Sequence, residues 1–355
     1  MNKKIKKQNK LIVLFLLAIS LLVGCGKDTT GPADIKEQDK AIYTDDVGRK
    51  VELPDEIDRV VTLGSTGQIM MISLAPDMLL GINTPIERNA ENYFSYDISS
   101  LPVIGQYYGQ RTLNLEELAN LEGDVIIDLG DTKPKSAEDM DEIQKHTGIP
   151  TIHINATLET SADAFRKLGE LIGREERAEE LATYCEMVYD RTKTMMDSIA
   201  EEDKVRLVSC VSPDGLMVTV KGSSHSEILD FVGINVAESV GNNGEISIEQ
   251  LHIWNPDVIL FIDTSIYELV DNMPEWSTLK AIETGKYYEI PNGPYDWIGS
   301  PPTVNRYLGL VWLMDILYPE YTEYDLKEEV KEYYHLFYEC DLTDEQYESL
   351  VRNAL

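Results

Sequence analysis

Positive charge is scarce: 31 lysines and arginines stand against 63 aspartates and glutamates in 355 residues, a formal net charge of −32. So acidic a chain repels phosphate backbones, which excludes a general nucleic-acid binder. Cysteine is scarcer, and four in this length do not make a disulfide scaffold. Cys185, Cys210 and Cys340 match no metal-ligand spacing. Cys185 and Cys210 read as small buried hydrophobes, and one disulfide among the three stays open. The five histidines (146, 153, 225, 252 and 335) are scattered and read as ordinary surface or packed residues. The phosphate loop G-x-x-x-x-G-K-[ST], the dinucleotide G-x-G-x-x-G, the nucleophile elbow G-x-S-x-G and the zinc motif H-E-x-x-H are all missing. The apolar run Leu11 to Val23 falls short of the ~20 residues of a comfortable membrane span.

That run follows Lys3, Lys4, Lys6, Lys7 and Lys10 and precedes Gly24 and Cys25, the layout of a signal peptide over residues 1–24. Leu22-Val23-Gly24-Cys25 resembles the bacterial lipobox, in which the cysteine is acylated and becomes the first mature residue. The alternatives are an ordinary secretory signal with a chance cysteine, or an uncleaved anchor. Residues 25–40 are polar without apolar period and read as a tether. The protein is therefore expected outside the cytoplasm, lipid-anchored to the cell membrane through Cys25.

Apolar residues make up 43% of the chain, enough for a packed core, and the length suits two domains. In the first half, apolar runs at Val60–Leu63, Asp124–Leu129 and Thr151–Ile154 alternate with helical patterns at Gln68–Ala75, Asn114–Leu121 and Ser136–His146. The second half repeats the style. Strands are expected at Arg206–Val211, Leu216–Val220, Asp257–Ile262 and Tyr287–Ile290, with helices at Ser224–Val232 and Ser247–Trp254. The expected fold is α/β: two Rossmann-like lobes, 41–160 and 201–355, each a parallel sheet flanked by helices, the second carrying C-terminal helices. A long helical stretch over 161–200, broken at Gly173, joins them and argues against large hinge motion.

One internal echo links the halves. Leu115-Glu116-Glu117-Leu118 with Asp124-Val125-Ile126 matches Ile248-Glu249-Gln250-Leu251 with Asp257-Val258-Ile259 at one constant offset of 133 residues. A pseudo-twofold pair of lobes accounts for it, and such lobes point their strand ends at a shared crevice. The loops at those ends carry Ser65 and Thr66, Tyr107 and Tyr108, and Asp131 and Thr132 in the first half. The second half offers Lys221, Tyr295, Trp297 and Arg306. We expect these ten to line a ligand cleft, with hydroxyls, amides and rings toward a small molecule. Trp297 is the strongest candidate, because Gly293-Pro294 and Pro301-Pro302 stiffen its loop. Its alternative is a ring packed under that loop. Ser277-Thr278-Leu279-Lys280 fits S-x-x-K, so an exported acyl-enzyme using Ser277 and Lys280 is the rival from another class.

The chain also resembles the substrate-binding lipoproteins of ABC importers for iron-siderophore, haem and vitamin B12, the class III periplasmic-binding proteins. The resemblance runs from Thr44 to Leu317. It rests on Asp45-Asp46-Val47-Gly48-Arg49-Lys50-Val51-Glu52-Leu53-Pro54, Arg59-Val60-Val61-Thr62-Leu63, Asn114-Leu115-Glu116, Asp124-Val125-Ile126, Glu249-Gln250 and Asn255-Pro256-Asp257-Val258-Ile259. It implies a monomeric, non-enzymatic receptor without a cofactor of its own. Its ligand would be a metal chelate held between the lobes, with an oxyanion such as molybdate as the alternative. Glu116 and Glu249 would dock onto arginines of the membrane permease, one per lobe. Gln68 departs from the pattern, standing where relatives often carry a glutamate.

Overall fold

A computed structural model describes residues 42–86, 90–109, 112–238 and 244–355. The expected signal peptide, Cys25 and the expected tether lie outside the described residues. The first lobe opens on an antiparallel hairpin of β1 (Ile42–Thr44) and β2 (Lys50–Glu52). Asp45 closes its turn by accepting the Arg49 N–H at 2.7 Å and the Arg49 guanidinium at 3.1 Å. Arg49 also donates to the Thr151 carbonyl at 2.7 Å. The Asp45–Arg49 signature thus ties the hairpin to the sheet and takes no part in the cleft.

The first lobe continues with β3 (Val60–Thr62), α1 (Ser65–Leu74), α2 (Leu115–Ala119), β4 (Val125–Gly130), α3 (Ser136–Thr147) and β5 (Thr151–Asn155). The three strands pair in parallel in the order β3-β4-β5. Val60, Val61, Val125, Ile126 and Ile127 are wholly buried, as expected when helices cover both faces of a parallel sheet. Helix α4 (Ser161–Ile172) ends at left-handed Gly173 (φ +67°) and packs back along α5 (Glu175–Ser198). The stretch joining the lobes is therefore α5 alone, 24 residues or ~36 Å long.

The second lobe contains β6 (Arg206–Cys210), α6 (Glu227–Val232), β7 (Ile234–Asn235), α7 (Ile248–Trp254), β8 (Val258–Phe261), α8 (Thr264–Leu269), α9 (Lys280–Glu283) and β9 (Tyr287–Glu289). Helices α10 (Asn305–Leu317), α11 (Leu326–Tyr338) and α12 (Asp344–Leu350) complete it. Its parallel sheet runs β7-β6-β8-β9. The expected strand Leu216–Val220 is not part of that ladder. It makes single bridges to Cys210 and Glu245, because both flanks of β6 are already taken by β7 and β8.

The internal echo is structural. In the first lobe the Asp124 carboxylate accepts the Arg59 N–H at 2.8 Å, and the Asp124 N–H donates to the Arg59 carbonyl at 2.8 Å. In the second, Asp257 does the same for Arg206 at 3.1 and 2.8 Å. Both arginines then reach a carbonyl at the end of the preceding helix, that of Leu121 or Trp254.

The lobes share one apolar cluster, which joins Val60 and Ile127 of the first sheet to Leu207, Leu260 and Trp312 of the second lobe. Helix α10 is buried on nearly every side and packs on α5, α6 and α11. Arg191 of α5 makes a paired contact with Glu329 of α11, 2.7 Å to each oxygen. The two lobes belong to one compact unit.

Candidate functional site

In the second sheet the strand order reverses between β6 and β8, and the crevice outside such a switch point is where open α/β sheets take ligands. A cavity of about 640 Å³ lies there. Val211 and Ile262, just past the ends of β6 and β8, form its apolar wall with Val218 and Val220. Thr219, Ser223, His225 and Ser300 supply its polar groups. Ser300 is two residues from Pro302, whose carbonyl accepts the Thr66 hydroxyl of the first lobe at 3.3 Å. Thr303 returns a hydrogen bond to the Thr66 carbonyl at 3.4 Å. The cavity therefore borders the floor between the lobes.

Ser65 and Thr66 sit half-buried on that floor, in the first turn of α1. Gly64 precedes them without a side-chain cap, and the turn holds no acid, so its backbone N–H groups keep their affinity for an acceptor. Behind them Glu227 pairs with Arg306 and also accepts the Leu158 N–H at 3.0 Å. Tyr307 donates to the Leu158 carbonyl at 2.6 Å, so both backbone groups of Leu158 are gripped by the second lobe. Burial pushes the Glu227 carboxyl upward, the Arg306 charge opposes this, and the charge of Asp131 adds a little to the rise.

Tyr107 and Tyr108 stand edge to face, centroids 5.0 Å apart, with both hydroxyls toward Asp139. The Lys133 ammonium lies 3.8 Å over the Tyr108 ring. Burial, with the nearby carboxylates of Asp128 and Asp139, raises the Tyr108 hydroxyl. Exposed Thr132 is held from below: its Oγ1 is 2.9 Å from Nε2 of buried His153, whose Nδ1 is 2.8 Å from Asp128. Lys221 projects into solvent from the turn before Ser223.

The rest of the second wall is corrected by the structure. Trp297 is only 1% exposed; its ring stands edge to face on Trp312 at 6.4 Å, and its N–H points to the Tyr334 hydroxyl at 3.4 Å. The ring lies beneath its loop because Gly309 of α10 admits the Trp297 backbone where a Cβ would collide with it. Tyr295 is buried in the same cluster. Arg306 reaches the floor, but its guanidinium is occupied by Glu227 and, at 3.0 Å, by the Thr303 carbonyl. Ser277 donates to the Pro274 carbonyl, while Lys280 pairs with Asp257 at 2.5 Å, so the two do not form a nucleophile and base.

His225, Glu227 and Ser300 were missed by sequence reasoning. The Lys221-Gly222-Ser223 turn was the available signal, since it leads directly into both His225 and Glu227. Glu116 and Glu249 are exposed in the first turns of α2 and α7. Asn114 caps the former helix at 3.0 Å from the Glu116 N–H, and Ser247 caps the latter. Hydrogen bonds from its own backbone N–H and from Ser247 hold the Glu249 carboxyl below the usual range.

Residues 89–294 match the profile of the periplasmic binding protein family. The chain is 23% identical over 351 residues to the molybdate-binding protein MolA of Haemophilus influenzae, covering 90% of this chain and 96% of that protein. It is 22% identical to the ABC transporter substrate-binding lipoprotein YvrC of Bacillus subtilis, over 80% of this chain and 90% of YvrC. Among solved structures, an ABC transporter solute binding protein from Sulfurospirillum deleyianum superposes with a TM-score of 0.82 and 29% identity. The match covers 88% of this chain and 99% of that one.

Proposed function

Since the chain belongs to the class III periplasmic binding proteins, the non-enzymatic substrate-capturing components of ABC importers, we propose that it captures a metal chelate. The chelate is of the ferric siderophore, haem or cobalamin type. The receptor works as a monomer outside the cytoplasm, tethered by acylated Cys25, and hands its ligand to the permease through Glu116 and Glu249. The observation that carries the ligand class is the cavity: about 640 Å³ with four aliphatic walls and a few polar groups. Such a lining favours an organic shell, because apolar walls give nothing to a small, strongly hydrated ion.

A second reading has its own support. The uncapped first turn of α1, with the hydroxyls of Ser65 and Thr66, suits an oxyanion, and the Haemophilus influenzae relative is named for molybdate. Native mass spectrometry of protein purified from its own host tests the two together. A co-purifying mass of several hundred daltons that carries a metal supports the chelate. A molybdate adduct, or a melting temperature raised by molybdate and not by haemin or ferric siderophores, reverses the order.

A further inference from the structure

We propose that His225 is a metal ligand, its Nε2 filling a coordination position that the incoming chelate leaves open. This rests on the chelate reading above and narrows it to coordinatively unsaturated complexes.

The geometry begins at Gly299. Its carbonyl oxygen lies 2.6 Å from Nδ1 of His225. A carbonyl can only accept, so Nδ1 carries the proton and the ring's lone pair is on Nε2. No group among the described residues bonds that nitrogen. The ring is exposed on the cavity wall beside Ser223 and Ser300.

The acceptor is itself fixed. Buried Asp296 accepts the N–H groups of Ile298 and Gly299, both at 2.8 Å. A Cβ at Gly299 would lie 2.9 Å from the His225 carbonyl, so only glycine lets the two segments approach this closely. A histidine whose far nitrogen donates to a braced carbonyl is oriented for a metal, because the tautomer and the ring plane are set before the ligand arrives. Neutral imidazole suits iron, cobalt, nickel and copper. No cluster of three or more metal-binding side chains occurs among the described residues. The remaining donors must come with the chelate, whose organic part the aliphatic walls receive. A saturated complex or a bare oxyanion has no use for the nitrogen.

Nickel complexes separate these cases at constant metal. Ni(II) nitrilotriacetate leaves two positions open, and Ni(II) EDTA leaves none. Calorimetry on the full mature chain should give at least about tenfold tighter binding of the first. His225→Ala should erase that preference with an unchanged melting temperature, and imidazole added to His225→Gly should restore part of it. His335→Ala is the control: its imidazole pairs with Asp341 at the surface, and its loss should change nothing. A folded His225→Ala protein that keeps the preference overturns the coordination while the chelate reading stands. So does equal binding of both complexes by the wild type. Binding of molybdate and of neither nickel complex overturns both.

Discussion

Glu227 spans the boundary between the lobes, pairing with the Arg306 guanidinium through one carboxylate oxygen and the Leu158 N–H through the other. Arg306 is 1% exposed, so its charge depends on this partner. Removing one member of a buried pair strands the other and costs about 3–5 kcal/mol. Glu227→Ala should therefore destabilise the protein by that order in urea unfolding. Glu227→Gln should cost less, because the amide oxygen still accepts from Leu158. Equal stability of Glu227→Ala and wild type would mean that Arg306 finds another acceptor.

Trp297 gives the second prediction. As a core ring it should lose about 3–5 kcal/mol when replaced by alanine. Trp297→Phe keeps the contact with Trp312 and gives up the N–H toward Tyr334, so most of the stability should survive. Ligand affinity, measured below the lowered melting temperature, should stay close to wild type. A large loss of affinity with an unchanged melting temperature would return Trp297 to the cleft.

Both residues lie where the sequence was hardest to read. Strands buried on both faces announce themselves as apolar runs, so β3, β4, β5, β6 and β8 were legible, as was the repeat that pairs Asp124 with Asp257. The short strands β1, β2 and β7 carry no continuous apolar run of the kind that announces β3, so nothing in their composition marks them. Leu216–Val220 has a strand's composition, yet the sheet positions beside it are filled. The first-lobe candidates could be placed at strand ends because their Gly, Ser and Thr loops follow clear strands. The second wall was misjudged at Trp297 because an aromatic between prolines looks the same whether its loop folds outward or inward. What turns it inward is Gly309, a contact that no local pattern carries. His225 was passed over for a similar reason: what singles it out is the carbonyl of Gly299, 74 residues away.

Asp296 supplies a pH dependence. Burial pushes its carboxyl up to about 6 from an ordinary 3.8, against the opposing hydrogen bonds of Ile298 and Gly299. A carboxyl raised on folding binds its proton more tightly in the native state, so its contribution is fully present below about pH 4. It is lost as pH rises through about 6. Asp296→Asn keeps an oxygen for the two N–H groups and removes the charge. The variant should gain stability relative to wild type as pH goes from 4 to 7, on the order of 3 kcal/mol across the window. Urea unfolding at pH 4, 5, 6 and 7 checks it, and a difference that does not change with pH would contradict the assignment.

The continuous apolar cluster, the two contacts to the Leu158 backbone and the Thr66–Pro302 contact all resist separation of the lobes. Small-angle scattering with and without the co-purifying ligand should therefore nearly superimpose. A contraction of several ångströms in radius of gyration would require these contacts to break on binding.

The docking role proposed for Glu116 and Glu249 is tested by reversing both charges. The two carboxylates are exposed, they open equivalent helices of the two lobes, and neither helix packs against the cavity. Glu116→Lys with Glu249→Lys should leave the melting temperature nearly unchanged. Affinity for the co-purifying ligand should stay within about threefold, roughly 0.65 kcal/mol. Uptake by cells should nevertheless fail, because two positive charges would meet the permease where two negative ones belong. Each single reversal should fall between, since the repeat gives each lobe its own contact. A double variant that folds, binds and still supports full transport would remove both glutamates from the permease interface.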